Sequence, residues 1–378
     1  GTIDQCNEKG IKGLCIITAG FKETGKEGAE LEKQLTEKLN EYGMRCVGPN
    51  CLGVVNTDPE ISMDGCFAES LPERGNIGFV SQSGALGGGI LNILKDLNLG
   101  FAQFISIGNQ ADVNAETALE YWENENDVEQ ILLYMESIQN PANFRKLASR
   151  ISKKKPILAL KAGRSAAGAS AASSHTGSLA GADKAANALL AQSGVIREYS
   201  LKNLFSTAKV FANCPIPKGN RVAIITNSGG PGIMATDAVC EYGMEIAKIT
   251  DETKEKLRSF LPAAASVKNP IDMIASAPIE HYKETLKTVI ADENVDMIMV
   301  IYLPFLGLKD IDVAKAVMEI KAQYPEKPVI GVFMTKSEFF TTLSDMDVNM
   351  PFFMYAEEAA EGFMRLDQQR KWIARPEG

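Results

Sequence analysis

Histidine is almost missing from this chain: two occur among 378 residues, His175 and His281. Any imidazole chemistry therefore rests on one or the other. Tryptophan is equally scarce, and positive charge falls short of negative, with 39 Lys and Arg against 48 Asp and Glu and a formal net charge of −9. That balance argues against non-specific nucleic-acid binding, which needs basic surface, but leaves room for a local basic pocket around a phosphorylated ligand. No apolar run approaches the roughly 18 residues of a membrane-spanning helix, and no signal peptide opens the chain. The seven cysteines are odd in number and scattered, none in a CxxC pair. This predicts a reduced, cytoplasmic protein with no metal site. HExxH, GxSxG and EF-hand patterns are also missing.

What is present is a regular alternation. Short apolar runs (Leu14–Thr18, Ile77–Ser81, Gln103–Ile107, Gln130–Met135, Pro156–Lys161, Arg221–Thr226, Met297–Tyr302 and Pro328–Met334) are separated by amphipathic stretches. Each run is strand-length, continuously apolar, and followed by glycine or a polar turn. Such strands predict an α/β protein whose parallel sheet is covered by helices on both faces.

The series also repeats. The run from Gly75-Asn76 to Ser83-Gly84 matches, with one inserted residue, that from Gly219-Asn220 to Ser228-Gly229. Asn109-Gln-Ala-Asp112 corresponds to Asn269-Pro-Ile-Asp272, Asp127–Tyr134 to Asn294–Ile301, Lys155-Pro156 to Lys327-Pro328, and Tyr199–Phe205 to Tyr355–Glu361. Two copies of one flavodoxin-like domain are expected, over residues 71–213 and 214–378. Cys214–Lys218, with two prolines, is the expected linker. Residues 1–70 read as a separate αβ piece.

The copies differ where chemistry is expected. His281 lies in a polar, helical-looking stretch and reads as a surface residue. His175 sits in Ser173-Ser-His-Thr-Gly-Ser-Leu-Ala-Gly181, after an alanine- and serine-rich loop from Gly163 to Ser174. A histidine there is a candidate general base, metal ligand or nucleophile; the alternative is a helix-start histidine in a surface loop. The second copy has no histidine in the matching place. Glu136 ends a strand where the second copy has Leu303, and a carboxylate there could orient an imidazole; taken alone, it reads better as a solvated strand-end acid. Structural needs recur in both copies, whereas chemistry need occur once. The turns containing Ser83-Gly84-Ala85 and Ser228-Gly229-Gly230 each open a helix, whose free N–H groups and dipole favour phosphate; glycine there could equally serve tight packing. Neither turn matches GxxxxGK[ST] or GxGxxG. Asp112 and Asp272, present in both copies, read as turn or capping residues.

Taken in order, Gly48-Pro-Asn-Cys-Leu-Gly53, Gly75–Gly84, Gly108-Asn-Gln-Ala-Asp-Val113, Ser174-His-Thr-Gly177 and Asn269-Pro-Ile-Asp272 resemble the ADP-forming acetyl-CoA synthetase family, within the NDP-forming acyl-CoA synthetase superfamily that includes succinyl-CoA synthetase. The resemblance covers essentially the whole chain. It implies a partial CoA-binding Rossmann domain followed by two flavodoxin-like ligase domains. It also implies a reaction in which acyl-CoA and phosphate yield an acyl phosphate, which phosphorylates His175, which then phosphorylates ADP. By the same resemblance Glu136 orients the histidine, the two Ser-Gly turns hold phosphate, and Ile17, Thr18, Ala19, Asn50 and Cys51 contact CoA.

Ala19 stands where succinyl-CoA synthetase has glutamate, which points to the acetyl-type branch. The glycine-rich first turn of the CoA domain is missing, so this stretch of chain is expected to bind CoA poorly. The family's ATP-grasp part, which binds ADP or ATP with magnesium, is expected from a β subunit or fused domain, in a hetero-oligomer. The competing reading is a CoA-sensing regulatory module of a protein acetyltransferase; retention of His175 and Glu136 favours the ligase.

Overall fold

The computed structural model describes residues 1–176, 183–305 and 307–376, with backbone only over 172–176. The chain forms two compact units, Gly1–Phe205 and Ser206–Gly378. The division falls inside a helix, upstream of the proline-containing segment expected as the linker.

In the first unit the strands are β1 Gly13–Cys15, β2 Arg45–Val47, β3 Gly53–Asn56, β4 Met63–Cys66, β5 Arg74–Ser81, β6 Phe101–Ser106, β7 Gln130–Met135, β8 Ile157–Lys161 and β9 Ile196–Glu198. The helices are α1 Thr2–Glu8, α2 Lys26–Tyr42, α3 Gly84–Ile93, α4 Ala115–Trp122, α5 Pro141–Ile151, α6 Ala166–Thr176, α7 Asp183–Gln192 and α8 Leu201–Asn213, the last crossing into the second unit. β1 and β2 pair as a small parallel sheet of their own. The main sheet has seven strands in the order β4-β3-β6-β5-β7-β8-β9. From β6 to β9 the pairing is parallel.

β3 and β4 lie before residue 70 in the chain, yet they hydrogen-bond in this main sheet, and antiparallel. The short connection between them explains the direction: a parallel pair needs a long crossover, a hairpin does not.

The second unit carries β10 Arg221–Thr226, α9 Gly229–Glu241, β11 Glu245–Ile246, α10 Asp251–Phe260, β12 Ile271–Asp272, α11 Ile279–Ile290, β13 Met297–Tyr302, α12 Asp310–Gln323, β14 Val329–Phe333, α13 Ser337–Ser344, β15 Phe352–Phe353 and α14 Ala356–Ile373. Its sheet runs β11-β10-β13-β14-β15, with β12 joined to β10. Relabelled within each copy, both sheets read 2-1-3-4-5, the flavodoxin-like order. The duplication seen in the sequence is thus a duplication of topology.

Continuous apolar strands are needed because both sheet faces are covered. Val222, Ile224, Met297, Met299 and Ile301 pack into one core, while Ala223, Ile225, Ile298, Val300 and Tyr302 pack into the opposite one. Successive side chains of a strand point to opposite faces. The first unit's core is built on Val80, Ile131, Leu133, Ile157 and Ala159, with Trp122 fully buried among them.

One local expectation changes. The alanine-rich stretch read as loop from Gly163 to Ser174 is helical from Ala166, because alanine has the highest intrinsic helix propensity. The backbone of His175 lies in the last turn of that helix.

Candidate functional site

In a sheet of this order ligands bind beyond the carboxyl ends of the strands, at the point where the strand order reverses. In the first unit that point lies between β5 and β7. β5 ends at Ser81, whose Oγ donates to the Ser83 carbonyl at 2.6 Å. Ser83 caps α3, its Oγ accepting the Leu86 N–H at 3.3 Å. Helix geometry leaves the N–H groups of Gly84 and Ala85 without an intrahelical acceptor. Here glycine also serves packing: a Cβ on Gly84 would lie 3.2 Å from the Leu52 nitrogen, and one on Gly87 2.8 Å from the Phe104 ring.

Gln82, which composition and motif gave no reason to select, joins this turn to the end of β7. Its Oε1 accepts the N–H groups of Glu136 at 2.7 Å and Ser137 at 3.1 Å, and its Nε2 donates to Ser137 Oγ at 3.1 Å. The second unit repeats the device. Asn227 Nδ2 donates to the Leu303 carbonyl at 2.8 Å and its Oδ1 accepts the Leu303 N–H at 3.0 Å. Leu303 is the residue aligned with Glu136, so the repeat itself was the signal that could have found both amides: each directly precedes the Ser-Gly turn. The clamp is shared, whereas the carboxylate occurs in the first copy alone.

At the second turn, Thr226 Oγ1 donates to the Ser228 carbonyl at 2.9 Å. Ser228 precedes α9 but makes no side-chain cap. A Cβ on Gly230 would meet nothing within 4 Å, so packing does not account for that glycine; one on Gly229 would lie 3.5 Å from Asp272 Oδ2. The two recurrent aspartates have diverged. Asp272 accepts the Ile274 N–H at 2.9 Å, a turn role. Asp112 takes the Arg45 guanidinium through both oxygens, Nε at 2.9 Å being the shortest contact, and the Cys46 N–H at 2.8 Å. It ties β2 to the loop after β6.

Structural residues recur as expected. Lys155 Nζ donates to the Trp122 and Glu125 carbonyls at 2.6 Å each, and Lys327 Nζ donates to the Asp292 carbonyl at 2.7 Å. Both lysines close the turn that precedes the third strand of their copy.

The N-terminal residues singled out in the sequence converge. The Asn50 N–H donates to the Thr18 carbonyl at 3.0 Å, continuing the β1–β2 pairing. Ile17, Thr18 and Ala19 are exposed at that edge, whereas Cys51 is buried. Asn50 Nδ2 donates to Asn109 Oδ1 at 3.2 Å, and Asn109 Nδ2 donates to Glu23 at 2.6 Å and Glu32 at 2.8 Å. Gly108, at φ +50°, lets the chain pass there; a Cβ would sit 2.3 Å from the Pro49 oxygen. The Cys51 and Cys15 sulfurs are 3.9 Å apart. The side-chain contact with Cys51 outweighs burial and brings the Cys15 thiol down to about 7, while the Cys51 thiol is pushed up by the same contact and by burial.

The His175 side chain and residues 177–182 lie outside the described residues. Among the described residues no group of three or more His, Cys, Asp or Glu could hold a metal ion, and no helix is long and apolar enough to cross a membrane.

Comparison with known proteins places this geometry. Residues 74–211 match the succinyl-CoA ligase like flavodoxin domain, and residues 222–373 match the ligase-CoA domain. Acetate–CoA ligase [ADP-forming] II subunit alpha of Pyrococcus furiosus is 42% identical over 98% of this chain, which spans 81% of that subunit. Acetate–CoA ligase [ADP-forming] I of Archaeoglobus fulgidus is 41% identical over 84% of this chain but is matched over 46% of its own length. Among solved structures, the dinucleotide forming acetyl-coenzyme A synthetase 1 of Ca. Korarchaeum cryptofilum, in complex with phosphate and ADP, superposes with a TM-score of 0.92 at 31% identity. That match covers 99% of this chain and 81% of that one.

Proposed function

The chain belongs to the ADP-forming acetate–CoA ligase family, and on that premise we propose that it carries the acyl-phosphate and phosphohistidine steps of the reaction acyl-CoA + phosphate + ADP → free acid + CoA + ATP. Residues 1–70 contribute to the CoA side through Ile17, Thr18, Ala19, Asn50 and Cys51. Residues 71–213 carry the histidine, and residues 214–378 supply the second phosphate-holding turn. Acetate is the acid proposed, and ADP with magnesium is assigned to an ATP-grasp partner, separate or fused.

The observation that carries this reading is the Gln82 clamp. It fixes the helix start at Ser83-Gly84-Ala85 beside Glu136, at the strand ends where such a sheet takes its ligand. The chemistry then follows from the groups present. An acyl phosphate oriented by α3 N–H groups has its developing negative charge met by fixed donors that need no rearrangement. The neutral imidazole of His175 attacks phosphorus; the N–P bond forms, the bond from phosphorus to the acyl oxygen breaks, and the acid leaves as carboxylate. Glu136 accepts the imidazole's other N–H and so selects its tautomer. Ser83 supplies a further hydroxyl donor, and Ser228-Gly229-Gly230 hold phosphate on the second turn.

The test is direct. Incubation with labelled acetyl phosphate should leave an acid-labile, alkali-stable phosphate on the wild-type chain and none on His175→Asn. Absence of label on a chain shown to be folded would count against the ligase reading and for the regulatory one.

A further inference from the structure

β8 ends in Lys161, whose ammonium is drawn inside the protein: the residue is 5% exposed. Its Nζ donates to the Ala162 carbonyl at 2.6 Å, which uses one of three protons. Burial lowers its pKa; the charges acting on it are Asp183 on α7, Arg197 on β9 and Glu136 after β7. In the sheet, Lys161 pairs with Met135 and the Ala162 N–H donates to the Met135 carbonyl at 2.8 Å. Lys161 therefore stands beside the end of β7, in register with Met135, the residue before Glu136.

The second copy shows what the fold alone asks for at this position. There the Met334 N–H donates to the Tyr302 carbonyl at 3.1 Å, the same rung of the ladder. The residue in the place of Lys161 is Phe333, stacked on Phe339 at 5.0 Å and edge-on to Phe352 at 5.1 Å. An aromatic ring satisfies the packing. An ammonium in the same place is costly to bury, so packing does not account for it. The asymmetry is that of Glu136 and Leu303, one strand over.

We propose that Lys161 is a positioning residue for phosphoryl transfer, its buried ammonium acting through space to keep the Glu136 carboxylate ionised at the strand end and offsetting the negative charge a phosphoryl group brings beside it. The inference rests on the phosphohistidine reading of His175. Lys161 gives and takes no proton; the bonds made and broken are those of the imidazole attack described above.

The test uses the full chain with labelled acetyl phosphate, as wild type, Lys161→Met and Lys161→Arg, with His175→Asn as the blank. Lys161→Met is expected to lower the maximal rate of labelling by about 30-fold, with the half-saturating acetyl phosphate concentration moving less than about threefold. Its circular dichroism and thermal midpoint should stay close to wild type. Lys161→Arg, which keeps the charge, should recover to within about fivefold of wild type. An unchanged rate in Lys161→Met, an effect confined to half-saturation, or loss of the folded state in that variant would each overturn the proposal. No label on wild type would instead remove the His175 reading, and this inference with it.

Discussion

Gln82 holds Glu136 by the backbone: Gln82 Oε1 accepts the Glu136 N–H at 2.7 Å. The phosphate-binding turn and the orienting acid are thereby parts of one hydrogen-bonded corner. Gln82→Ala removes three hydrogen bonds from a part-buried corner and leaves two backbone donors to be resatisfied. We expect a loss of about 1–3 kcal/mol of stability in urea unfolding, together with a fall of about tenfold or more in labelling by acetyl phosphate. A variant destabilised to that extent but labelling at the wild-type rate would show that the clamp serves the fold alone.

Glu136→Gln keeps size and hydrogen-bonding capacity but removes the charge. The expected result is a folded protein whose phosphorylation is slowed by about a hundredfold or more, as when a histidine loses its orienting carboxylate. Full activity in that variant would contradict the orienting role.

Cys15 is exposed and its thiol lies near 7 through the contact with Cys51, whereas burial pushes the Cys46 and Cys214 thiols up to about 12. The thiolate is the nucleophile, so alkylation by iodoacetamide at neutral pH should modify Cys15 first, with a rate rising through a midpoint near pH 7. Cys51→Ala should move that midpoint upward towards an ordinary thiol. Mass spectrometry after timed alkylation decides it; preferential labelling of Cys46 or Cys214 would contradict the assignment.

Asp296 binds Arg221 in the second unit, taking the backbone N–H at 3.0 Å, Nε at 2.8 Å and Nη2 at 3.0 Å. Burial raises the carboxyl's pKa, but the hydrogen bonds and charge of Arg221 outweigh it, so the group lies below its ordinary value. A depressed carboxyl stabilises the folded state above the unfolded-state pKa, and that stabilisation is lost as pH falls through the folded-state value. Asp296→Asn should therefore be less stable than wild type by about 1–3 kcal/mol at pH 7, with the difference shrinking below about pH 4. Urea midpoints at several pH values test this; a difference that persists undiminished into acid would rule out the ion pair as its source.

Much of this protein was legible locally. Continuous apolar runs announced two-faced sheets, and the match of Lys155 with Lys327 and of Ser83 with Ser228 announced a duplicated domain, because strand and turn signals are carried by neighbouring residues. The contrast of Glu136 with Leu303 was legible for the same reason. Other features depended on partners far along the chain. Val54 pairs with Ile105, which carries β3 into a sheet whose other strands come later in the sequence. Gln82 meets Glu136 because β5 and β7 are neighbours at the reversal point of the strand order. Lys161 pairs with Met135, one residue before Glu136, because β7 and β8 run in register. Such contacts are set by strand order and register, which the burial of both sheet faces selects over the whole chain and which no local window of sequence contains. The sequence determined which chemical groups exist and that they exist once; the tertiary structure decided which of them share a strand end.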